Sequence, residues 1–196
     1  MQYKQAITHN QIIEIAHRLL HQRGYHSFSY ADISEEVGIK KASIHYYYPN
    51  KKDLVREVVV RHRKNFKTDL DRIETASTDP ITQLDLYVQL FAQVLYHDEQ
   101  MCICGILAAE YHILPKDVQV EVQGFFNDNI GWLTQVIAKG CSQGILQVEG
   151  PVELEATLLF SSIEGLMLVT RTAGGSERFE LIVQKLIRRM DNSLNI

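Results

Sequence analysis

The chain has little of what most small-protein chemistries require. Its three cysteines, at positions 102, 104 and 141, are odd in number and form no regular framework. That argues against a disulfide scaffold and for a reducing cytoplasm. No apolar run is long enough to cross a bilayer, and the N-terminus lacks the charged-then-apolar pattern of a signal peptide, so a cytoplasmic protein without a membrane partner is expected. A phosphate-cradling glycine loop, a nucleophile elbow and a defensible carboxylate pair are all missing. The eight histidines are scattered. No catalytic residue and no cofactor are therefore assigned, and an enzyme is not expected. Cys102 and Cys104, with His97, Glu110 and His112 nearby in sequence, do not make a metal site. Residues two apart on a helix diverge by about 200°, so both thiols cannot easily reach one ion. A sensing thiol at Cys102 or Cys104 competes with the plainer reading of small buried cysteines.

Only four prolines interrupt the chain, and its apolar spacing is helical almost throughout. No alternating run demands a strand. At 196 residues and 45% hydrophobic content the chain can bury a substantial core. The expected fold is all-α, with about nine helices. Net charge is −4, which alone argues against a nucleic-acid partner, but its distribution reverses that. Residues 1–67 carry 12 Lys/Arg against 6 Asp/Glu, whereas residues 68–196 carry 8 against 18. A basic head on an acidic body suits a molecule that presents one end to DNA.

The segment from Ser29 to Leu54, SYADISEEVGIKKASIHYYYPNKKDL, is the most informative. Ser29 stands three residues before Asp32, a capping-box start, and Ile33 and Val37 share the helix face that follows. Gly38 falls where a left-handed cap is expected. A second short helix is predicted from about Lys41 to Tyr47, ended by Pro49, with Asn50 capping another that begins at Lys51. Two short helices across a tight glycine turn make a helix-turn-helix. At about 100° per residue, Ile44 and Tyr48 face Ile33, Val37 and Ile39, whereas Ala42 and Tyr46 point away with Ser43 and His45 on the flanks. That outward set suits a major groove, with Lys40, Lys41 and Lys51 near its ends to meet phosphates. Lys51 also opens a helix, where its ammonium and free backbone N–H groups suit an anion. Ser29 and Tyr30 open the preceding helix in the same way. The blander alternative makes Tyr46, Tyr47 and Tyr48 core residues and the lysines a solvated face.

These residues resemble the DNA-binding signature of the TetR/AcrR regulators. The match runs through Asp32-Ile33, Gly38-Ile39, Tyr46-Tyr47-Tyr48-Pro49 and Lys51 to Leu54. The resemblance implies a helix-turn-helix head over residues 1–52 and a helical effector-binding and dimerisation body over 53–196. It implies double-stranded operator DNA as partner, with backbone contacts at Ser29, Tyr30 and Lys51, and Tyr47 within the recognition segment. Lys40 stands where serine or threonine is frequent, and His45 where tyrosine is, so the operator is this chain's own.

Ahead of the head, Thr8 with Gln11 suggests a helix start, with Ile12, Ile15, Ala16 and Leu19 as its stripe and Gly24 as its end. Tyr25 and Phe28 would seal the join. After it, a long helix from Lys51 to about Glu74 is the natural lever. Further helices are predicted over about 80–96, 101–112, 115–140, 152–173 and 176–192, the last two separated by Gly174-Gly175. By resemblance, the middle helices enclose a pocket for a small apolar effector. Its lining would come from Tyr87, Phe91, Leu95, Leu107, Tyr111, Phe125, Phe126 and Trp132, with His112, Asn129, Glu164 and Arg171 as polar anchors. The same residues taken singly read equally as core. The last two helices offer Leu158, Ser161, Ser162, Gly165, Leu166 and Leu168, then Phe179, Ile182, Val183, Leu186 and Ile187. Small residues at 161, 162 and 165 permit close approach of another helix, which favours a two-fold homodimer interface. A homodimeric, ligand-relieved repressor is the leading reading. Its rival is a DNA-binding structural or interaction protein of the same family without an inducer, which would hold no cavity.

Overall fold

The computed structural model describes residues 2–96, 101–173 and 176–192, and the side chains of these except 2–8, 171, 173 and 176. The Gly174-Gly175 break and the side chains of His97 and Arg171 thus lie outside the described residues. Among the described residues nine α-helices run in the order α1 (Gln2–Arg23), α2 (Tyr30–Val37), α3 (Lys41–Tyr47), α4 (Lys51–Ala76), α5 (Pro80–Tyr96), α6 (Ile103–Ala109), α7 (Lys116–Ser142), α8 (Val152–Ala173) and α9 (Ser176–Met190). A single 3-10 turn covers Tyr111–Ile113. No strand occurs among the described residues, beyond one isolated bridge between Leu146 and Asp191. The expected all-α class holds, and no described helix is long and apolar enough to cross a membrane.

Two expected starts and stops differ. Helix α1 begins at Gln2 rather than after Thr8, because no proline or glycine precedes Gly24 to break it. The helix expected over 101–112 covers only Ile103–Ala109 and passes at Glu110 into the tighter 3-10 turn. Leu114-Pro115 lies just beyond, and a residue preceding proline is pushed out of the α region; Leu114 has ψ 146°.

The chain divides into two compact units that are not contiguous in sequence. The first comprises residues 1–65 and 103–125, and the second residues 66–102 and 126–196. Helices α4 and α7 therefore contribute residues to both. In the first unit Ile12, Ile13, Ala16, Leu19 and Leu20 of α1 are buried with Phe28, Ile33, Ile44, Leu54, Val55, Val58 and Val59. Ile13 takes the place foreseen for Ile15, which is only half-buried. Helix α6 packs on α1. Arg56 and Arg63 both pair with Glu121, at 2.9 and 3.3 Å, tying α4 to α7 within this unit. In the second unit α5, α8 and α9 pack together. Phe179, Val183, Ile187 and Met190 form the inner stripe of α9, and Ala156, Leu159, Phe160, Ile163 and Met167 that of α8.

A histidine cluster sits where α1 meets α4. The rings of His17 and His21 are 4.6 Å apart, those of His17 and His62 are 5.8 Å apart, and Phe125 of α7 lies 5.2 Å from His62. His62 as a whole residue is half-buried, but its Nε2 is sealed from water. Burial, and then the neighbouring His17 and His21, push the His62 pKa from 6.5 down to about 3. The unfolded chain therefore binds a proton that the folded chain refuses, and stability falls as pH drops from 6.5 towards 3. Thermal melts from about pH 7 to about pH 5 should show a steep loss in the wild type and a flatter one in His62→Leu. Equal slopes would show that another group controls the acid limb.

The cap on α2 gives a second test. Ser29 accepts from Ala31 N at 3.1 Å, and Asp32 accepts from both Ser29 N and Ser29 Oγ at 2.7 Å. These two bonds, with Arg23 adding to them, hold the Asp32 carboxyl down at about 2. Ser29→Ala should cost about 1 kcal/mol in chemical denaturation. It should also raise the Asp32 pKa towards its ordinary 3.8 in an NMR titration.

Candidate nucleic-acid interface and effector site

The head is built by the signals read from its sequence. Gly38 adopts φ +72°, and its N–H and that of Ile39 both donate to Ser34 O, at 3.1 and 3.2 Å. This double closure is the left-handed cap that turns the chain from α2 into α3. The Ser34 hydroxyl donates back to Ile39 O at 2.6 Å. Lys40 is the N-cap of α3, without a side-chain capping bond.

Helix α3 shows one face inward. Ile44 and Tyr48 are buried, whereas Lys41, Ala42, Ser43, His45 and Tyr46 are exposed, Tyr46 to 78%. Tyr47 is half-buried, its ring 5.7 Å from that of His9 and 5.4 Å from that of Tyr46. Val37 and Ile39, expected inside, are only half-buried.

Tyr30 lies inside rather than on the surface. It is 8% exposed and donates its hydroxyl to Tyr48 O at 2.9 Å, while its ring meets that of His45 at 4.7 Å. Burial, and then the nearby Asp53, push its pKa well up. Tyr48 stacks on His9 at 5.5 Å, with its hydroxyl 2.8 Å from His9 Nε2, and burial takes its pKa up to about 12. Both phenols remain neutral at ordinary pH and act as fixed hydrogen-bonding wedges beneath α3.

Lys51 opens α4 and is half-buried. Its ammonium donates to Phe28 O and lies 4.0 and 5.0 Å from the ring centres of Phe28 and Tyr25. Burial lowers its pKa, opposed by Glu110 and Asp32. Asn50 does not accept as a cap; Asp53 instead reaches back to receive Asn50 N and Asn50 Nδ2 at 3.2 and 3.1 Å. Beside Lys51, Tyr25 N donates to Glu110 Oε2 at 2.7 Å. Gly24 has φ +70°, and a Cβ there would lie 2.5 Å from Glu110 Oε1. The glycine therefore serves both the turn and the close approach.

The residues expected to line an effector pocket are divided by the structure. Leu107, Tyr111 and His112 belong to the first unit, where Leu107 is buried, Tyr111 half-buried and His112 exposed. Tyr87, Phe91, Phe126, Asn129, Trp132 and Glu164 belong to the second. There Tyr87 donates to Asn129 Oδ1 at 2.7 Å and stacks on Trp132 at 5.2 Å. Phe91 packs 5.3 Å from Tyr87, and Phe160 lies 5.4 Å from Phe126. Trp132 Nε1 donates to a Glu74 carboxylate oxygen at 2.7 Å. An open, polar pocket of about 330 Å³ lies at Glu74, Gln83, Gln135, Val136 and Lys139, and includes none of the expected lining residues. Among the described residues no histidine, cysteine and carboxylate group is arranged to hold a metal. Cys102 and Cys104 are buried thiols and Cys141 is half-buried.

The residues expected at a dimer seam also separate into two sets. Phe179 and Val183 are fully buried in the protomer's own core, because α9 turns that stripe onto α5 and α8. Leu158 is 55% exposed, Gly165 is exposed with open space around it, and Ser162, Leu166 and Leu186 are half-buried. Sequence reading missed Leu154, Val169 and Leu181, which are 65, 57 and 67% exposed. Helical spacing from Leu158 through Gly165 to Val169 would have found two of them, since Leu154 and Val169 continue that face.

Comparison with known proteins agrees with this architecture. The profile of the "Bacterial regulatory proteins, tetR family" matches residues 12–58. A TetR-family transcriptional regulator from Agrobacterium tumefaciens is 33% identical, with a TM-score of 0.92 over 95% of this chain and 99% of that one. The HTH-type transcriptional regulator YxaF of Bacillus subtilis is 24% identical over 182 residues, 91% of this chain and 93% of its own. IcaR of Staphylococcus epidermidis, described as a negative transcriptional regulator of a biofilm operon, is 42% identical over 50 residues, about a quarter of each chain. A seated recognition helix, an all-α body and a relative matched over nearly its whole length place this chain in the TetR family of DNA-binding transcriptional regulators.

Proposed function

We propose that the protein is a homodimeric repressor, held on a double-stranded operator by α3 and released when a small, mainly apolar effector enters the second unit. The observation that carries the DNA-facing half is the outer surface of α3. Its buried side fixes the helix, while Ala42, Ser43, His45 and Tyr46 stand in solvent at base-reading positions. Lys40 and Lys41 supply phosphate contacts, joined by Ser29 at the start of α2 and by Lys51 and Tyr47 at the rim. Tyr30 acts from beneath, by holding Tyr48 and hence α3. Repression is supported by the negative role named for IcaR, to which this chain is similar over a quarter of its length.

Dimerisation is supported by the outer faces of α8 and α9, where Leu154, Leu158, Leu168, Val169 and Leu181 are all more than half exposed. Exposed leucines scattered singly are ordinary, but Leu154, Leu158, Leu168 and Val169 share one face of one helix. A two-fold pairing there would set two heads to match successive major grooves about 34 Å apart. An effector that prefers another spacing of the heads weakens DNA binding by the ratio of its affinities for the two states. The close packing of Tyr87, Phe91 and Trp132 favours a second reading, a family member that binds DNA without an inducer.

Lys41→Gln should weaken operator and random duplex alike and reduce the salt slope by about one per protomer, whereas Tyr46→Ala should cost about 1–3 kcal/mol on operator alone. Titrations of both variants at several salt concentrations read this directly. Salt-independent binding by the wild type would refute the phosphate contacts. For the seam, Gly165→Glu is a clean probe, since a side chain added there meets nothing within 4 Å in the protomer. An unpaired charge buried on pairing costs several kcal/mol, so sedimentation should show folded monomers. A folded dimer would place the seam elsewhere.

A further inference from the structure

Among the described residues of the second unit, Glu164 of α8 is a buried carboxyl that makes no ion pair. Neither Oε1 nor Oε2 has a nitrogen or oxygen partner among the described residues and both are sealed from water, which leaves only a weak hydrogen bond from the Cys102 thiol. Other polar side chains of the second unit are committed. Tyr87 gives its hydroxyl to Asn129, Trp132 gives its N–H to Glu74, Gln83 donates to Ser77 O, and Thr170 to Leu166 O. Burial raises the Glu164 pKa to about 7, with the Cys102 thiol pulling it slightly the other way. The Glu164 charge in turn raises the Tyr87 phenol, which places the two groups within electrostatic reach. Phe160 lies one turn before Glu164 on the same side of α8. Its ring is 6.4 Å from Phe91 and 5.4 Å from Phe126. An acid is thus held at the edge of an aromatic cluster, with no cation from the described chain to meet it.

We propose that Glu164 is the anchor for a lipophilic organic cation, an amine or quaternary ammonium on an apolar body, with the aromatic faces of Tyr87, Phe91 and Phe160 flanking the charge. This rests on the reading that the second unit takes the effector, and it names the chemical class. A buried, poorly partnered carboxyl is costly, and a cation is the ligand group that offsets the cost of its charged form most directly. Aromatic faces carry partial negative charge and add to the attraction once water is excluded. An anionic ligand would meet repulsion from the carboxylate. A neutral apolar one would leave both oxygens without a nitrogen or oxygen partner.

The test compares phenyltrimethylammonium with its uncharged isostere tert-butylbenzene on the full-length wild-type protein. Binding is followed by the fluorescence of Trp132, the only tryptophan in the chain, and by calorimetry. The wild type should bind the cation about tenfold or more tightly than the isostere. Glu164→Gln, which keeps the shape and removes the charge, should abolish that preference and leave binding of the isostere unchanged. The wild type supplies a second readout independent of the variant's folding. Burial favours the protonated form of this carboxyl, so cation binding, which favours the ionised form, should release protons, read by calorimetry in buffers of different ionisation enthalpy across about pH 6 to 8. The isostere should release none. Equal affinities, absence of saturable cation binding, or cation binding without proton release each overturn the proposal. Operator retention is read in the same samples. Glu164-dependent cation binding with unchanged DNA affinity keeps this site and removes the effector-release reading. Release of DNA by the isostere, without charge preference, does the reverse.

Discussion

The placement of α3 depends on the hydrogen bond that Tyr30 donates to the Tyr48 carbonyl, together with the burial of Ile44 and Tyr48. Seven residues are too few for a helix to persist in water on its own, and α3 lacks a side-chain cap at its start. Its geometry is therefore borrowed from α2 through the Gly38 turn and from beneath through two neutral tyrosines. Everything proposed for the outer face follows from that seat. The base reading proposed for exposed Ala42, Ser43, His45 and Tyr46 requires that Ile44 and Tyr48 on the inner face stay seated.

The head was legible in the sequence because its signals are local. Ser29 with Asp32, Gly38, and Pro49 before Lys51 each act over three or four residues, and each occupies the position its chemistry requires. The body was legible as helices but not as faces. Phe179 and Val183 share an apolar stripe with no mark to distinguish a core side from a partner side, and only the packing of α9 on α5 and α8 decides it. Glu164 appeared in sequence as a polar residue beside an apolar stripe. Its burial and its lack of a nitrogen or oxygen partner are properties of the surrounding side chains. Tyr30 likewise reads as a helix-start residue facing outward, and only the return of Tyr48 over it shows where its hydroxyl goes.

The division into units is the feature that periodicity could not supply. The segment from Ile103 to Phe125 belongs with residues 1–65, although 37 residues of the second unit intervene. Helices α4 and α7 are each unbroken across the division, so two of the three chain crossings between the units lie within continuous helix.

The bond from Tyr25 N to Glu110 bears on how such proteins can be recombined. A chimera that takes its DNA-reading part from this chain by cutting at residue 65 would leave the Tyr25 amide without its acceptor and Arg56 and Arg63 without Glu121. The exchangeable module is discontinuous: it includes residues 103–125, and Gly24 must travel with Glu110. A recombination boundary placed by sequence motif alone would separate residues that fold as one piece.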